Sequence, residues 1–223
     1  MNTTKAKERP ILMSGPMVRS IWNAEKKQTR RVIKNCPDPR ESHGLEGGCC
    51  WSDWTPSKHA DGKWYFDSTF ASSVAIGACP YGEVGDHLWV REATIRAGAG
   101  ACWFQADNST VYGTDPLTQQ RMPALWPNKN RSYRPPMHMP RDWCRILLEI
   151  KDVRVERLRS ITPLDCLAEG IKRQEPVMHG GDAYGYAYKD FRELWQSINS
   201  KRPGCDWDSN PWVWALEFER IEP

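Results

Sequence analysis

Lys26, Thr29 and Arg31 are the residues whose types and spacing best suit chemistry in this chain; they sit in the run Trp22-Asn-Ala-Glu-Lys-Lys-Gln-Thr-Arg-Arg31. An ammonium and a guanidinium flanking a hydroxyl can bind a phosphate or lower the barrier to a proton transfer. Amide hydrolysis needs a nucleophile, a proton acceptor and a donor to the departing amine. Thr29 offers the hydroxyl. Lys26, once desolvated, would lose its proton near neutral pH and act as base. Arg31, or backbone N–H groups beside it, would hold the oxyanion, an effect worth about 3 kcal/mol. No metal is required. The competing reading is structural: basic residues at a helix C-terminus complement the helix dipole, and threonine is at home in any strand.

The elements around these residues must place them. Met17, Ile21 and Trp22 predict an amphipathic helix from Pro16 to about Glu25, preceded by a short strand at Pro10–Met13. If Gln28 to Ile33 is extended, period-2 geometry puts Lys27, Thr29 and Arg31 on one face. Gly85-Asp86 is a turn signal before a strand at Leu88–Glu92 that alternates buried and exposed positions. Ala101–Ala106 reads as another strand and residues 108–135 as loop. Asp142–Arg159 is the longest strand pattern, with a slip near Lys151-Asp152 that suggests a bulge. Thr162 as N-cap, Pro163 at N1 and Asp165 at N3 signal a short helix that Gly170 ends. Gln174–Tyr188, rich in Gly and Tyr, reads as a flap whose Tyr184, Tyr186 and Tyr188 could stack on bases. Lys189–Ser200 is an amphipathic helix, and Trp212–Ile221 is the closing strand.

Taken in order, the Lys26–Arg31 run, Val84-Gly-Asp-His-Leu-Trp-Val-Arg-Glu92, Ile161–Ile171 and Asn210–Arg220 resemble the ASCH domain family, a branch of the PUA-like β-barrels. Cys79-Pro-Tyr-Gly and Met137-His-Met-Pro-Arg141 resemble the long phage and prophage versions. The resemblance implies an α+β fold: one domain over residues 1–223, a small mixed barrel with flanking helices and insertions at about 36–78, 108–128 and 172–187. It also implies binding of RNA or a modified nucleoside in a basic cleft.

One branch of the family removes the acetyl group from N4-acetylcytidine with a lysine, a threonine and a glutamate. That branch carries Gly-Arg-Lys-Thr-x-Thr-x-Arg, where this chain has Ala24-Glu-Lys-Lys-Gln-Thr-Arg-Arg31. The lysine, second threonine and last arginine keep their places; the glycine and first arginine do not. Aligning Thr162 with the threonine of the family's later helix puts Glu169 on its glutamate. The implied catalytic set is therefore Lys26, Thr29 and Glu169, with Arg30, Arg31, Glu92, His138 and Arg141 as substrate-binding candidates. Glu92 is the alternative acid, and His138 either faces the substrate or packs.

Composition narrows the classes. With 223 residues and twelve Trp, the chain is long enough for a sizeable core. Its mean hydropathy of −0.69 and lack of a long apolar run predict a non-membrane protein. The polar N-terminus lacks a signal-peptide pattern, which points to the cytoplasm. Net charge is +3, but residues 1–43 carry +6 and residues 129–159 carry +5, leaving −8 for the rest. That segregation suits an anionic polymer. No Cys-x-x-Cys pair occurs among eight cysteines, so a cofactor is not expected. Cys36, Cys49, Cys50 and Cys79 cluster around the first insertion and are the candidate ligands of a structural zinc. A competing function is binding of a host protein through the Trp-rich insertion, which requires exposed Trp51, Trp54 and Trp64.

Overall fold

The computed structural model describes residues 6–34, 36, 54–68, 72–115, 119–125, 132–172 and 183–222. Alternating apolar residues produce most of the elements. In chain order they are β1 (Glu8–Leu12), α1 (Gly15–Trp22), β2 (Gln28–Val32), β3 (Thr55–Lys58), β4 (Trp64–Asp67) and β5 (Val74–Gly77). Then come β6 (His87–Arg91), β7 (Thr94–Arg96), β8 (Cys102–Phe104), β9 (Tyr112–Thr114), β10 (Arg121–Pro123) and β11 (Tyr133–Arg134). The last are β12 (Leu147–Arg157), α2 (Pro163–Ala168), α3 (Ala183–Asn199) and β13 (Trp212–Ile221). The class is mixed α+β, dominated by strands. Among the described residues the largest sheet is open, with order β1-β6-β12-β13-β2 and edges at β1 and β2.

The chain divides into two units. The first comprises residues 1–27, 84–151 and 218–223; the second comprises 28–83 and 152–217. In the first, β1 runs parallel to β6, and β12 pairs antiparallel with β6 through Leu148 opposite Leu88. Its insertion forms a three-stranded sheet, β11-β7-β8, and a β9-β10 hairpin. Cys102, Phe104, Val111, Met139 and Cys144 pack together beneath them. In the second unit β13 pairs antiparallel with β2, and Leu158, Cys166, Phe191, Trp195, Trp207 and Val213 form the core.

Local signals behave as their chemistry dictates. Thr162 and Asp165 form a full capping box, with Pro163 at the first helical position. Gly170 then takes φ +88°, a conformation glycine adopts without a Cβ clash. The buried positions of β12 change parity between Ile150 and Val155, as the slip near Lys151 anticipates.

Three expectations need correction. The first insertion, whose Gly- and Trp-rich sequence shows little periodicity, nevertheless carries β3, β4 and β5, which form their own antiparallel sheet. Residues 108–135 are not all loop; β9 and β10 pair with each other and are bridged to the β8 region at Thr110 and Leu125, and β11 pairs with β7. The flap ends earlier than expected, since α3 begins at Ala183, six residues before Lys189. Tyr188 packs edge-on against Trp207 at 5.3 Å and so belongs to the core. Residues 173–182 lie outside the described residues.

Candidate functional site

The turn after α1 delivers the Lys26 segment. Ala24 N–H donates to the Ile21 carbonyl and Glu25 N–H to the Ser20 carbonyl, the bond pattern of a Schellman cap. Ala24 sits at φ +59°, a left-handed conformation that favours glycine. The Lys26 N–H also donates to the Ser20 carbonyl at 3.0 Å, and the residue is only 3% exposed.

Strand β2 departs from the one-face expectation. Lys27 is exposed, whereas Gln28, Thr29 and Arg30 are all buried, at 2–3% exposure. Both faces of the strand are therefore covered at its start. Arg30, not Arg31, is the more deeply buried guanidinium. Its Nη1 donates to Gln28 Oε1 at 2.5 Å and to Glu169 Oε1 at 3.3 Å. Its Nη2 lies 2.5 Å from Glu156 and 3.3 Å from Asp165. The Glu156 contact is charge against charge rather than an aligned hydrogen bond, since neither atom meets hydrogen-bond geometry.

Gln28 completes the frame by donating from Nε2 to Asp165 Oδ1 at 3.2 Å. Burial opposes ionisation of Asp165, but hydrogen bonds from Thr162, the Arg30 charge and Gln28 outweigh it and lower its pKa. Thr29 stands opposite Leu216 and Arg31 opposite Trp214 in β13. Burial pushes the Arg31 guanidinium down; Tyr81 and Glu169 oppose this and Arg202 adds to it. It remains a cation, because an arginine does not deprotonate in proteins.

The first unit holds a separate ionic centre. Leu88, Val90 and Glu92 share parity along β6 and its continuation, so the carboxylate points into the interior at 1% exposure. Arg145 answers it with two bonds, Nε to Oε1 at 2.9 Å and Nη2 to Oε2 at 2.7 Å. Arg145 Nη1 also reaches Asp107 at 2.7 Å and Ser109 at 2.6 Å. Its guanidinium lies 3.9 Å from the Phe104 ring centroid and 5.4 Å from that of Trp22. Burial raises the pKa of Glu92 while Arg145 lowers it; in the same pair burial lowers and the two carboxylates raise Arg145, whose pKa ends above its ordinary value. Two-pronged geometry favours the ionised pair. Glu92 is thus the holder of Arg145 rather than an unengaged acid.

The remaining candidates are peripheral. His138 is exposed at the end of a 3-10 turn over Pro136–His138. Arg141 donates to Glu8 at 2.7 Å, and both side chains are 41% exposed. Of the zinc candidates, Cys36 and Cys79 are described and Cys49 and Cys50 lie outside the described residues. Among the described residues no group of three or more His, Cys, Asp or Glu side chains is placed to hold a metal. Trp54 is 9% exposed, and Trp64 is half-buried and meets Trp214 edge-on at 6.0 Å. Trp51 lies outside the described residues.

Sequence reading missed Arg145, Asp107, Gln28 and Glu156. Parity along β6 was available as a signal for a buried Glu92, and a buried carboxylate demands a cation. Nothing local identifies Arg145, 53 residues away, as that cation. No described helix is long and apolar enough to cross a membrane. Comparison with family models, curated proteins and solved structures finds no match.

Proposed function

We propose that this chain is a PUA-like protein of the ASCH type that binds RNA or a modified nucleoside in the cytoplasm and hydrolyses an N-acyl amide of the N4-acetylcytidine kind. The observation that carries the reading is the polar start of β2. Gln28, Thr29 and Arg30 are buried there, and Glu169, itself 8% exposed, is drawn to the same guanidinium. Burying a hydroxyl, a guanidinium and a carboxylate together is costly, so such clusters concentrate where chemistry or binding uses them.

In this reading the Thr29 hydroxyl attacks the acyl carbon while Lys26 takes its proton. The oxyanion is stabilised by Arg31 and nearby N–H groups. The tetrahedral intermediate collapses by breaking the C–N bond, and the cytosine amine leaves with the proton that Lys26 took from Thr29, while the Glu169 carboxylate accepts a hydrogen bond from the departing amine. Water then releases the acid from the acyl-threonine and restores the hydroxyl. Arg30 acts through Glu169 as a positioning residue, because it fixes the carboxylate without facing the reacting atoms.

The test is release of cytidine and acetate from N4-acetylcytidine by purified protein. Turnover by the wild type, reduced about a hundredfold or more in both Lys26→Ala and Thr29→Ala, is expected for loss of a base or nucleophile. A folded wild-type protein without turnover would overturn the hydrolysis and leave binding alone.

A further inference from the structure

A half-exposed tryptophan in the first unit collects guanidinium groups that outnumber the carboxylates paired with them. Trp22 ends α1 and is 50% exposed. The Arg220 guanidinium lies 4.7 Å from its ring centroid, and that of Arg145 lies 5.4 Å away. Arg19 sits three residues before Trp22 on the helix, so the two are surface neighbours. Its Nη1 donates to the Ala106 carbonyl at 2.7 Å, and no carboxylate pairs with it among the described residues. All four residues belong to the first unit.

Their charges are balanced unequally. Arg145 takes both Glu92 and Asp107 for itself. Arg220 is exposed, and among the described residues it makes neither an ion pair nor a side-chain hydrogen bond; its contact is the Trp22 ring. Its neighbour Glu219 points to the opposite face and reaches Lys151 at 3.5 Å. Lys27 stands opposite Phe218, whose N–H donates to the Lys27 carbonyl at 2.8 Å. Directly opposed residues share a face, and Arg220 follows Phe218 by two, so Lys27 and Arg220 project from the same side of the ladder. Lys27 is exposed and likewise has no acidic partner among the described residues. Glu25 and Glu222, the exposed acids nearest in sequence, pair with none of these cations. Three unneutralised cations thus meet at the C-terminal end of α1. A guanidinium lodged over an aromatic ring gives up none of its N–H donors, and their fork matches two oxygens of one phosphate. A phosphoryl group, with its acceptor oxygens and up to two charges, suits three cations better than a carboxylate does.

We propose that Arg220, with Arg19 and Lys27, binds a phosphoryl group beside Trp22, as the terminal phosphate of a nucleotide or a phosphodiester of a single-stranded polynucleotide. The site lies wholly within the first unit and holds whether or not Thr29 attacks an amide.

The experiment is isothermal titration of the full chain with CMP and with cytidine. Fluorescence anisotropy accompanies it, with a 3′-labelled 12-mer RNA bearing a 5′-hydroxyl, over a range of salt. CMP, the 12-mer or both should bind more tightly than cytidine. Arg220→Ala should weaken the phosphate-bearing ligand roughly tenfold or more, leave cytidine unchanged, and flatten the 12-mer salt slope by about 0.7. Arg220→Lys, which keeps the charge without the fork, should fall between. A loss confined to CMP assigns a terminal phosphate, and one confined to the 12-mer assigns a phosphodiester. Melting temperatures recorded alongside exclude unfolding as the cause, and Lys27→Ala carries the same test should Arg220→Ala unfold. Undiminished binding of both phosphate-bearing ligands by the folded variant, or no binding of either by wild type, would overturn the proposal. None of these ligands carries an acyl group, so failure here is read separately from failure of hydrolysis.

Discussion

At the scale of single residues, two deeply buried charges, Glu92 and Arg30, are handled differently. Glu92 meets one arginine in a closed two-pronged bond, with Phe104 and Trp22 flanking the guanidinium. Arg30 instead meets three carboxylates and an amide, none of them closing a two-pronged pair with it. The first arrangement rigidifies around one pair; the second spreads one guanidinium over carboxylates that keep 6–21% exposure. Backbone strain also has a residue-scale signature. Ala24 holds φ +59° in the cap that leads to Lys26. A non-glycine residue there is penalised by about 1–2 kcal/mol, partly offset because glycine loses more entropy on folding. Ala24→Gly should therefore raise stability by about 0.5–1 kcal/mol. Urea unfolding checks this, and a lower midpoint would show that the turn is not strained.

At the scale of elements, one carboxylate reinforces the backbone ladders of the β3-β4-β5 sheet. Asp67 on β4 accepts from the Ser57 hydroxyl on β3 and from His59 Nε2 at 2.9 Å. Hydrogen bonds from Ser57, Ser73 and His59, in that order, lower its pKa from 3.8 to about 2. A carboxylate depressed on folding contributes stability that is complete above its unfolded pKa and is lost as pH falls through the folded value. Local protection of the β3–β5 amides should accordingly be steady above about pH 4 and fall between pH 4 and pH 2. Hydrogen exchange on wild type and Asp67→Asn tests this. The variant should be less protected at neutral pH and nearly flat through that window; an equally steep fall in the variant would shift the effect to another group. The capping box of α2 illustrates the opposite dependence on distance, since everything it needs lies between Thr162 and Asp165.

At the scale of the whole molecule, charge follows the division into units rather than the linear segments. The first unit has 16 Lys/Arg and 10 Asp/Glu, a net of +6, and the second has 15 and 18, a net of −3. A polyanion is attracted to the former and repelled by the latter, and salt weakens both effects. Ultraviolet cross-linking of a bound oligonucleotide should then yield peptides mainly from the first unit, with the yield falling as salt rises. A majority of cross-links in residues 152–217 would contradict the charge argument.

What the sequence determined by itself was whatever a few neighbouring residues encode. The cap of α2, the closing strand from Trp212 to Ile221 and the alternation of β6 and β12 were all readable, because each is a local hydrogen-bond or period-2 pattern. Parity even pointed Glu92 inward. Tertiary structure decided the partners. Arg145 reaches Glu92 across 53 residues and Arg30 reaches Glu169 across 139, and no spacing rule specifies a contact between chain segments that far apart. It also decided that both faces of β2 are covered, which turned a reading centred on Arg31 into a cluster centred on Arg30. The short strands β9 and β11 were illegible for a related reason. Two or three residues carry too little periodicity to announce a strand, and only pairing with a neighbour makes them one.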